Sequence, residues 1–306
     1  MAIASAATLW RNTSPRLRIN CSVDTGLFNK LAATIGEGAA GQDWLRVLPA
    51  TLDTLCANWS LSLGEPFVAE ASCSWVAPCT CRDGSAAVLK VGFSHMEAEH
   101  EIDGLAFWSG SPTVRLLDAD RELNAMLIER CEPGTHLRGL PEPEQDVVIA
   151  GLLKRLWRAP ASASVFRPLL RMVEYWCDGA RRQAERWADP ALAQEGLSVF
   201  RALAGESVEA VVLATDLHAG NVLKARREPW LVIDPKPFVG DPAYDVTQHL
   251  LNCRERLRRD PLGLVTAVAR LADVDAERVR RWLFARLAID TENSSTSQAL
   301  ARRLLV

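Results

Sequence analysis

The sequence predicts an α+β fold of two lobes, a small β-rich amino-terminal lobe and a larger helical carboxy-terminal lobe. Three observations carry this. Between residues 66 and 130, apolar runs of strand length alternate with turn-forming residues around one helical stretch. From Glu142 onward the apolar spacing lengthens to three and four, the period of helices packed on one face. Inside that helical half, a strand–loop–strand–turn–strand block from Val211 to Asp234 brings two aspartates and an asparagine together.

The elements follow in chain order. Residues 1–43 read as a lead-in, broken by Gly36, Gly38 and Gly41. Its first 23 residues lack acids and carry Arg11, Arg16 and Arg18, a composition similar to a transit peptide. The preferred expectation is a frayed or variably packed leader. The amino-terminal lobe spans 44–131. It opens with an amphipathic helix, Trp44 to Trp59, with Trp44, Val47, Leu48, Leu52, Leu55 and Cys56 on one face. A hairpin is expected with one arm at Ala71 to Pro78 and the other after Asp83-Gly84. Ala86 to Val91 is an apolar strand carrying a single Lys, Met96 to Trp108 a helix, and Ala125 to Cys131 a further strand ended by Glu132-Pro133-Gly134. The lobe 132–306 is helical. Val147, Val148, Leu152, Leu153, Leu156 and Trp157 line a first helix stopped by Pro160, and longer helices are expected at 166–187, 190–204, 243–257, 261–271 and 275–290. The ten Trp residues are spaced mostly as helix anchors, and there is no internal repeat.

Composition bounds the function. A chain of 306 residues with 48% hydrophobic content builds one large or two small domains with a sizeable core. A net charge of −3 and a pI near 6.0 argue against nucleic acid as a partner and suit a cationic small molecule. No apolar run approaches the ~20 residues that span a bilayer, so no membrane partner is expected. The eight cysteines contain no Cys-x-x-Cys pair and read as reduced, mostly buried thiols of a cytoplasmic protein.

The chemistry lies in Thr215 to Leu223 and Leu231 to Pro235. An Asp, an Asn five residues later and a second Asp beyond an apolar strand form the arrangement of kinase-type phosphoryl transfer. One carboxylate orients and deprotonates a hydroxyl, while an amide and the other carboxylate hold the magnesium that neutralises phosphates. Asp216 is thus the candidate catalytic base, and Asn221 and Asp234 the candidate Mg2+ ligands. Lys90, in Ala86 to Val91, stands where a strand Lys grips the α- and β-phosphates of ATP. A Glu of the next helix should hold it. Of Glu97, Glu99 and Glu101, Glu101 is favoured because Ile102, Leu105 and Trp108 form the buried stripe beside it. The peptide groups of Ile128, Glu129 and Arg130, where the chain crosses between lobes, are expected at the adenine edge. His218, inside the loop, is expected to pack or hydrogen-bond rather than act as the base.

These motifs resemble the aminoglycoside phosphotransferase family, and more narrowly its streptomycin 6-phosphotransferase and hydroxyurea phosphotransferase branch. Asp216 to Leu223, Glu228 to Pro237 and Val239 to Asp245 carry the resemblance, supported by Val88 to Val91, Val114 to Leu117 and Leu127 to Arg130. It covers roughly residues 44 to 290, with Asp234-Pro235-Lys236-Pro237 its most branch-specific block. It implies a protein-kinase-like two-lobed fold, ATP, Mg2+ and a small hydroxylated acceptor, with the roles given above. Two departures stand out. The family's lead-in to the catalytic Asp is built on His or on Trp and Gly, whereas this chain has Leu213-Ala214-Thr215, which predicts a weaker scaffold for an intact mechanism. The phosphate-covering hairpin is glycine-poor, leaving Ser72 and Ser74 as the small residues that let backbone approach phosphate.

The acceptor pocket is expected beyond Asp216 in the helical lobe. Asp241 and Asp245 either brace the catalytic loop or meet a cationic substrate, and Asp245 is placed to cap the helix near Ala243, with His249 on the same helix face. Asp290 and Glu292, at a helix end, are candidates for an ammonium or guanidinium. The leading expectation is phosphorylation of an aminoglycoside hydroxyl, streptomycin first. Other small acceptors (hydroxyurea, an amino alcohol, a metabolite) and a silent nucleotide-binding kinase fold are the alternatives.

Overall fold

The structure, a computed structural model, describes residues 30–33, 35, 38–68, 73–160, 165–206 and 209–305. The leader expected over the first 23 residues lies outside them, as do Gly36 and Ser72. The two-lobed, protein-kinase-like fold is present.

The amino-terminal lobe is a five-stranded antiparallel sheet in the order β1-β2-β3-β5-β4. Its strands are β1 (Ser62–Leu63), β2 (Ser74–Thr80), β3 (Ala86–Gly92), β4 (Leu116–Asp120) and β5 (Ala125–Glu129). The period-two alternation sorts its residues onto two faces. Trp75, Ala77, Leu89 and Val91 meet Leu48, Leu52 and Leu55 of helix α1 (Ala39–Trp59), while Val88, Met126 and Ile128 meet Ile102 and Leu105 of α2 (Glu101–Trp108). Leu48, Leu52 and Leu55 are at most 1% exposed, each contributing about 1.5–3 kcal/mol by burial. Helix α1 begins before the expected Trp44 and takes Gly41 and Pro49 inside it, so the glycine break ends at Gly38. The helix expected over Met96 to Trp108 is instead a single 3-10 turn, Met96–Ala98, followed by α2.

The arms of the hairpin lie close to expectation, and its register bears on the site. Strands β2 and β3 are joined at Cys81–Ser85, with Gly84 at φ 84°, and this turn caps the Thr80/Ala86 end. Lys90 pairs with Val76 towards the other end. Ser74 and Cys73 stand at that end, away from the Asp83-Gly84 turn.

The carboxy-terminal lobe packs α3 (Glu142–Leu156), α4 (Leu169–Arg182), α5 (Pro190–Gly205), α6 (Pro242–Asn252), α7 (Arg254–Arg259), α8 (Pro261–Ala272), α9 (Ala276–Ala288) and α10 (Ser294–Arg302). Phe200, Trp282, Leu283 and Tyr244 lie in their common core. Helix α5 approaches α9 closely at Gly196, where a Cβ would stand 2.5 Å from that of Ala288. The helix expected over 243–257 is divided at Cys253, and α10 was not foreseen. Val147, expected on the buried face of α3, is 58% exposed. Between the helices lie two ribbons, β6 (Val211–Leu213) with β9 (Phe238–Gly240) and β7 (Val222–Lys224) with β8 (Trp230–Val232). The lobes join where Val114 and Val232 exchange backbone hydrogen bonds with the opposite chain: Val114 N donates to Val232 O, and Val232 N to Pro112 O, both 3.0 Å. No helix among the described residues is long and apolar enough to cross a membrane. The described cysteines are unbridged.

Candidate active site

Strand β6 ends at Leu213 and the chain turns sharply, with Thr215 in the left-handed region at φ 47°. Strand β8 ends at Val232 and delivers Asp234, also left-handed at φ 55°. Non-glycine residues occupy this region at a cost, so something must hold them. Asp245 on α6 does much of it: its carboxylate accepts from Ala214 N (2.9 Å), Thr215 N (2.7 Å) and Trp157 Nε1 (3.1 Å). Thr215 Oγ1 donates to Lys236 O (2.6 Å), and Lys236 N to Ala214 O (2.8 Å). The lead-in that predicted a weaker scaffold is therefore tied at every peptide.

Within this frame the charged groups converge. Lys90 Nζ lies 2.6 and 2.7 Å from the two Glu101 oxygens and 2.6 Å from Asp234 Oδ1. Of the three glutamates considered, Glu101 is the one that meets Lys90. Lys236 Nζ also donates to Asp234 Oδ1. Burial alone would raise the Asp234 carboxyl, but the Lys90 and Lys236 ammoniums overcome it and hold it below the usual range. For Lys236, burial pulls downward and the Asp234 and Glu101 charges win, raising it.

Asp216 faces this cluster across the loop. Asn221 Nδ2 donates to Asp216 O (3.0 Å) and lies 3.4 Å from Oδ2, while Gln248 Nε2 donates to Oδ1 (2.7 Å). Gln248 is itself held by Arg286, whose guanidinium also bonds Thr247 and stacks over Tyr244. Burial raises the Asp216 carboxyl above its ordinary range, with His218 opposing and Asp234 adding. His218 Nδ1 accepts from Gly220 N (3.0 Å), which assigns its proton to Nε2, 4.0 Å from Asp216 Oδ1. Burial lowers its pKa, so it is a neutral brace of the loop.

Other expected residues are placed differently. Asp241, not Asp245, caps α6, accepting from Ala243 N at 2.9 Å; its other oxygen takes Trp282 Nε1 (2.6 Å) and Arg278. Both aspartates are buried, 4% and 1% exposed, and fully engaged, so neither is available to a substrate. His249 turns away from Asp245 to Asp146 on α3 (2.8 Å). The Glu129 side chain holds Arg227 (2.8 Å) and its N–H is spent on Arg115 O (2.9 Å), while Ile128 is inside the β3–β5 ladder. Arg130 follows the end of β5 at the lobe crossing. Ser74 opens β2, paired with Gly92. The Cys73 thiol beside it is raised by burial and feels Lys236, Asp234, Glu97 and Lys90.

A cavity of about 820 Å³ extends from Glu97 and Gln248 to Asp290 and Glu292, walled by Tyr175 and Trp176. Asp290 uses its carboxylate to cap the turn at Glu292 and Asn293 and to hold Ser297, while Glu292 is exposed. Arg182, Arg254, Arg258 and Arg286 also line the cavity. Glu97 is the acid at the Gln248 end, and its charge reaches Asp216. Glu97, Gln248, Arg286 and Lys236 went unassigned in the sequence. For Lys236 the signal was its place two residues after Asp234; the others carried none.

Residues 59–294 match the family described as aminoglycoside/hydroxyurea antibiotic resistance kinase. The chain belongs to that family. It is a small-molecule phosphotransferase with an alcohol group as acceptor. It is 34% identical over 260 residues to a streptomycin 6-kinase of Streptomyces glaucescens, covering 82% of this chain and 84% of that one. The same identity and length relate it to a hydroxyurea phosphotransferase of Kitasatospora aureofaciens, covering 82% and 74%. Among solved structures it shares its fold with the choline kinase LicA of Streptococcus pneumoniae, at 12% identity and a TM-score of 0.57 over 84% of this chain and 91% of that one. A LicA structure in complex with AMP superposes at a TM-score of 0.55.

Proposed function

We propose that this protein transfers the γ-phosphoryl group of ATP, with Mg2+, to a hydroxyl of an aminoglycoside such as streptomycin. The observation that carries the reading is the convergence of Lys90, Glu101, Asp234, Asn221 and Asp216 on one cleft, opening towards a cavity of about 820 Å³. The residues fit a divalent cation: Asp234 Oδ1 already gathers two ammonium groups, and Asn221, whose backbone O accepts from Ile233 N (2.9 Å), carries a neutral amide oxygen on the adjoining loop. Asp234 and Asn221 would hold the metal, which supplies charge neutralisation at the phosphates. Lys90, fixed by Glu101, presents its ammonium to the α- and β-phosphates, and peptide groups from Arg130 onward present the adenine edge.

Asp216 then orients the acceptor hydroxyl and takes its proton at the carboxylate. Gln248 fixes one oxygen of that carboxylate, and Asn221 holds the Asp216 backbone O while lying 3.4 Å from the other carboxylate oxygen, which is the geometric part of the catalysis. Its raised pKa makes it a stronger base than a solvated Asp. Glu97 faces the acceptor near the reacting end, suited to an ammonium or guanidinium, with Asp290 and Glu292 at the far end. Hydroxyurea is the second reading, favoured by the equal identity to a hydroxyurea phosphotransferase. The cavity volume, typical of a drug-sized ligand, favours the larger acceptor.

The test is ADP release by the purified protein with ATP and Mg2+, comparing streptomycin, hydroxyurea and no acceptor. Streptomycin-dependent turnover supports the reading. Stimulation by hydroxyurea alone replaces the acceptor, and no nucleotide binding at all refutes it. Asp216→Ala is expected to lower kcat by about 10²–10⁴-fold while binding nucleotide normally.

A further inference from the structure

The ion pairs of the cleft leave one cation without an acid of its own. Lys90 holds both oxygens of Glu101 independently of Asp234. Lys236 has one acidic partner among the described residues, the Asp234 Oδ1 that a metal would claim. Its side chain is 11% exposed, so bulk water cannot replace that partner. A buried ammonium stripped of its counter-ion is strongly disfavoured, and the anions that arrive with a metal are the phosphates.

We propose that Lys236 is a catalytic residue, whose Nζ passes from Asp234 to an oxygen of the γ-phosphoryl group and stays on that group during transfer. The inference rests on the phosphotransferase reading above. Its geometry is set by the backbone. Lys236 N and O are hydrogen-bonded to Ala214 and Thr215, so the residue shares a rigid frame with Asp216, while two residues of chain tie it to Asp234. Pro235 and Pro237 fix φ on either side. Pro237 also lies against α2, where a Cβ on Gly104 would stand 3.0 Å from the Pro237 ring. These backbone bonds leave the side chain unfixed, and its charge acts on both Asp216 and Asp234. The ammonium is thus within electrostatic range of both the carboxylate that would hold the metal and the carboxylate that would take the proton. Lys90 cannot follow the phosphoryl group, because Glu101 keeps it.

The step balances without further reactants. The bond between the γ-phosphorus and the ADP oxygen breaks as the acceptor oxygen bonds phosphorus, and the acceptor proton goes to Asp216. Lys236 donates hydrogen bonds throughout and loses no proton. It acts as a preorganised donor to charge that spreads over the transferred oxygens.

The experiment measures binding of ADP and of a non-hydrolysable ATP analogue, with Mg2+ and no acceptor, to wild type, Lys236→Met and Lys236→Arg. In Lys236→Met, ADP affinity should stay within about 3-fold while analogue affinity falls about 10-fold or more, as for a lost hydrogen bond between charged groups. With acceptor present, kcat should fall about 10²–10³-fold, and Arg should restore part of both. An unchanged analogue-to-ADP ratio in the Met variant overturns the proposal. A crystal structure of the unmodified protein with Mg2+ and the analogue decides the matter even if that variant does not fold. Lys236 Nζ on a γ-phosphate oxygen supports the assignment, and Nζ still on Asp234 overturns it. A wild type that binds neither nucleotide sinks the phosphotransferase reading itself, and this inference with it, which is a different result from an unchanged ratio.

Discussion

Replacing Asp245 with Asn separates the two things this carboxylate does, and the structure sets the size of each. The group is 1% exposed, and burial pushes it up from 3.8 to about 6, against the pull of Ala214 N, Trp157 Nε1 and Thr215 N. The folded-state value lies above that of the unfolded chain. Its contribution to stability is therefore complete below about pH 4 and is lost as pH rises through about 6. A gap of about two pH units is worth about 3 kcal/mol. Asp245→Asn keeps the volume and cannot titrate, but it turns an –NH2 towards backbone donors, costing about 1–3 kcal/mol. Denaturant unfolding of both proteins at pH 4 and pH 7.5 tests this, because the other titrating groups cancel in the comparison. The variant's stability relative to wild type should rise by about 3 kcal/mol between the two pH values. It should be clearly less stable at pH 4 and near parity at pH 7.5. A relative stability that stays constant within about 1 kcal/mol would refute the claim that Asp245 is an ionised, desolvated brace at neutral pH.

Two further outcomes are expected. Gln248→Leu removes the 2.7 Å hydrogen bond to Asp216 Oδ1, so kcat should drop about 10- to 100-fold. The acid limb of the pH–rate profile should move upward, since Asp216 is already raised by burial and loses a donor that favours its ionised form; an unmoved limb with normal kcat would contradict the positioning role. Glu97 forms no hydrogen bond or ion pair among the described residues although it lines the acceptor cavity. Glu97→Gln should raise the KM of a cationic acceptor about 10-fold with little change for nucleotide, and an unchanged KM would remove Glu97 from acceptor recognition.

The sequence revealed those parts of the site whose signal is local. Asp216, Asn221 and Asp234 stand at fixed offsets in the turns that short strands flank, and Glu101 is distinguished from Glu97 and Glu99 by the apolar stripe following it. What it hid depends on distant partners. Gln248 reaches Asp216 and is held by Arg286, 38 positions away, so nothing near Gln248 marks it. The exchange of roles between Asp241 and Asp245 was readable, since Asp241-Pro242 has the form of a cap followed by a first-turn proline. The break at Cys253 was not, because apolar spacing continues through Leu250, Leu251 and Leu257 across it. The two arms of the hairpin were legible, but the end of the sheet at which Lys90 lies was not, because only the pairing of Lys90 with Val76 gives it.

The departure at Leu213-Ala214-Thr215 has the same physical basis. A side-chain brace requires particular residues in the lead-in, so their loss reads as a loosened loop. Here the brace acts on the peptide groups: Asp245 accepts the N–H of Ala214 and Thr215, and Lys236 pairs with Ala214 through backbone atoms. Every non-proline residue offers the same N–H and C=O, so the identities at these positions are free to vary while the geometry at Asp216 is held. The one side chain that enters is the Thr215 hydroxyl, bonded to Lys236 O. It fastens the strand end bearing Asp234 to the loop bearing Asp216. The spacing of Asp234 and Asp216 is therefore set by a network in which the Asp245 side chain is the common acceptor, and the lead-in supplies little beyond its backbone.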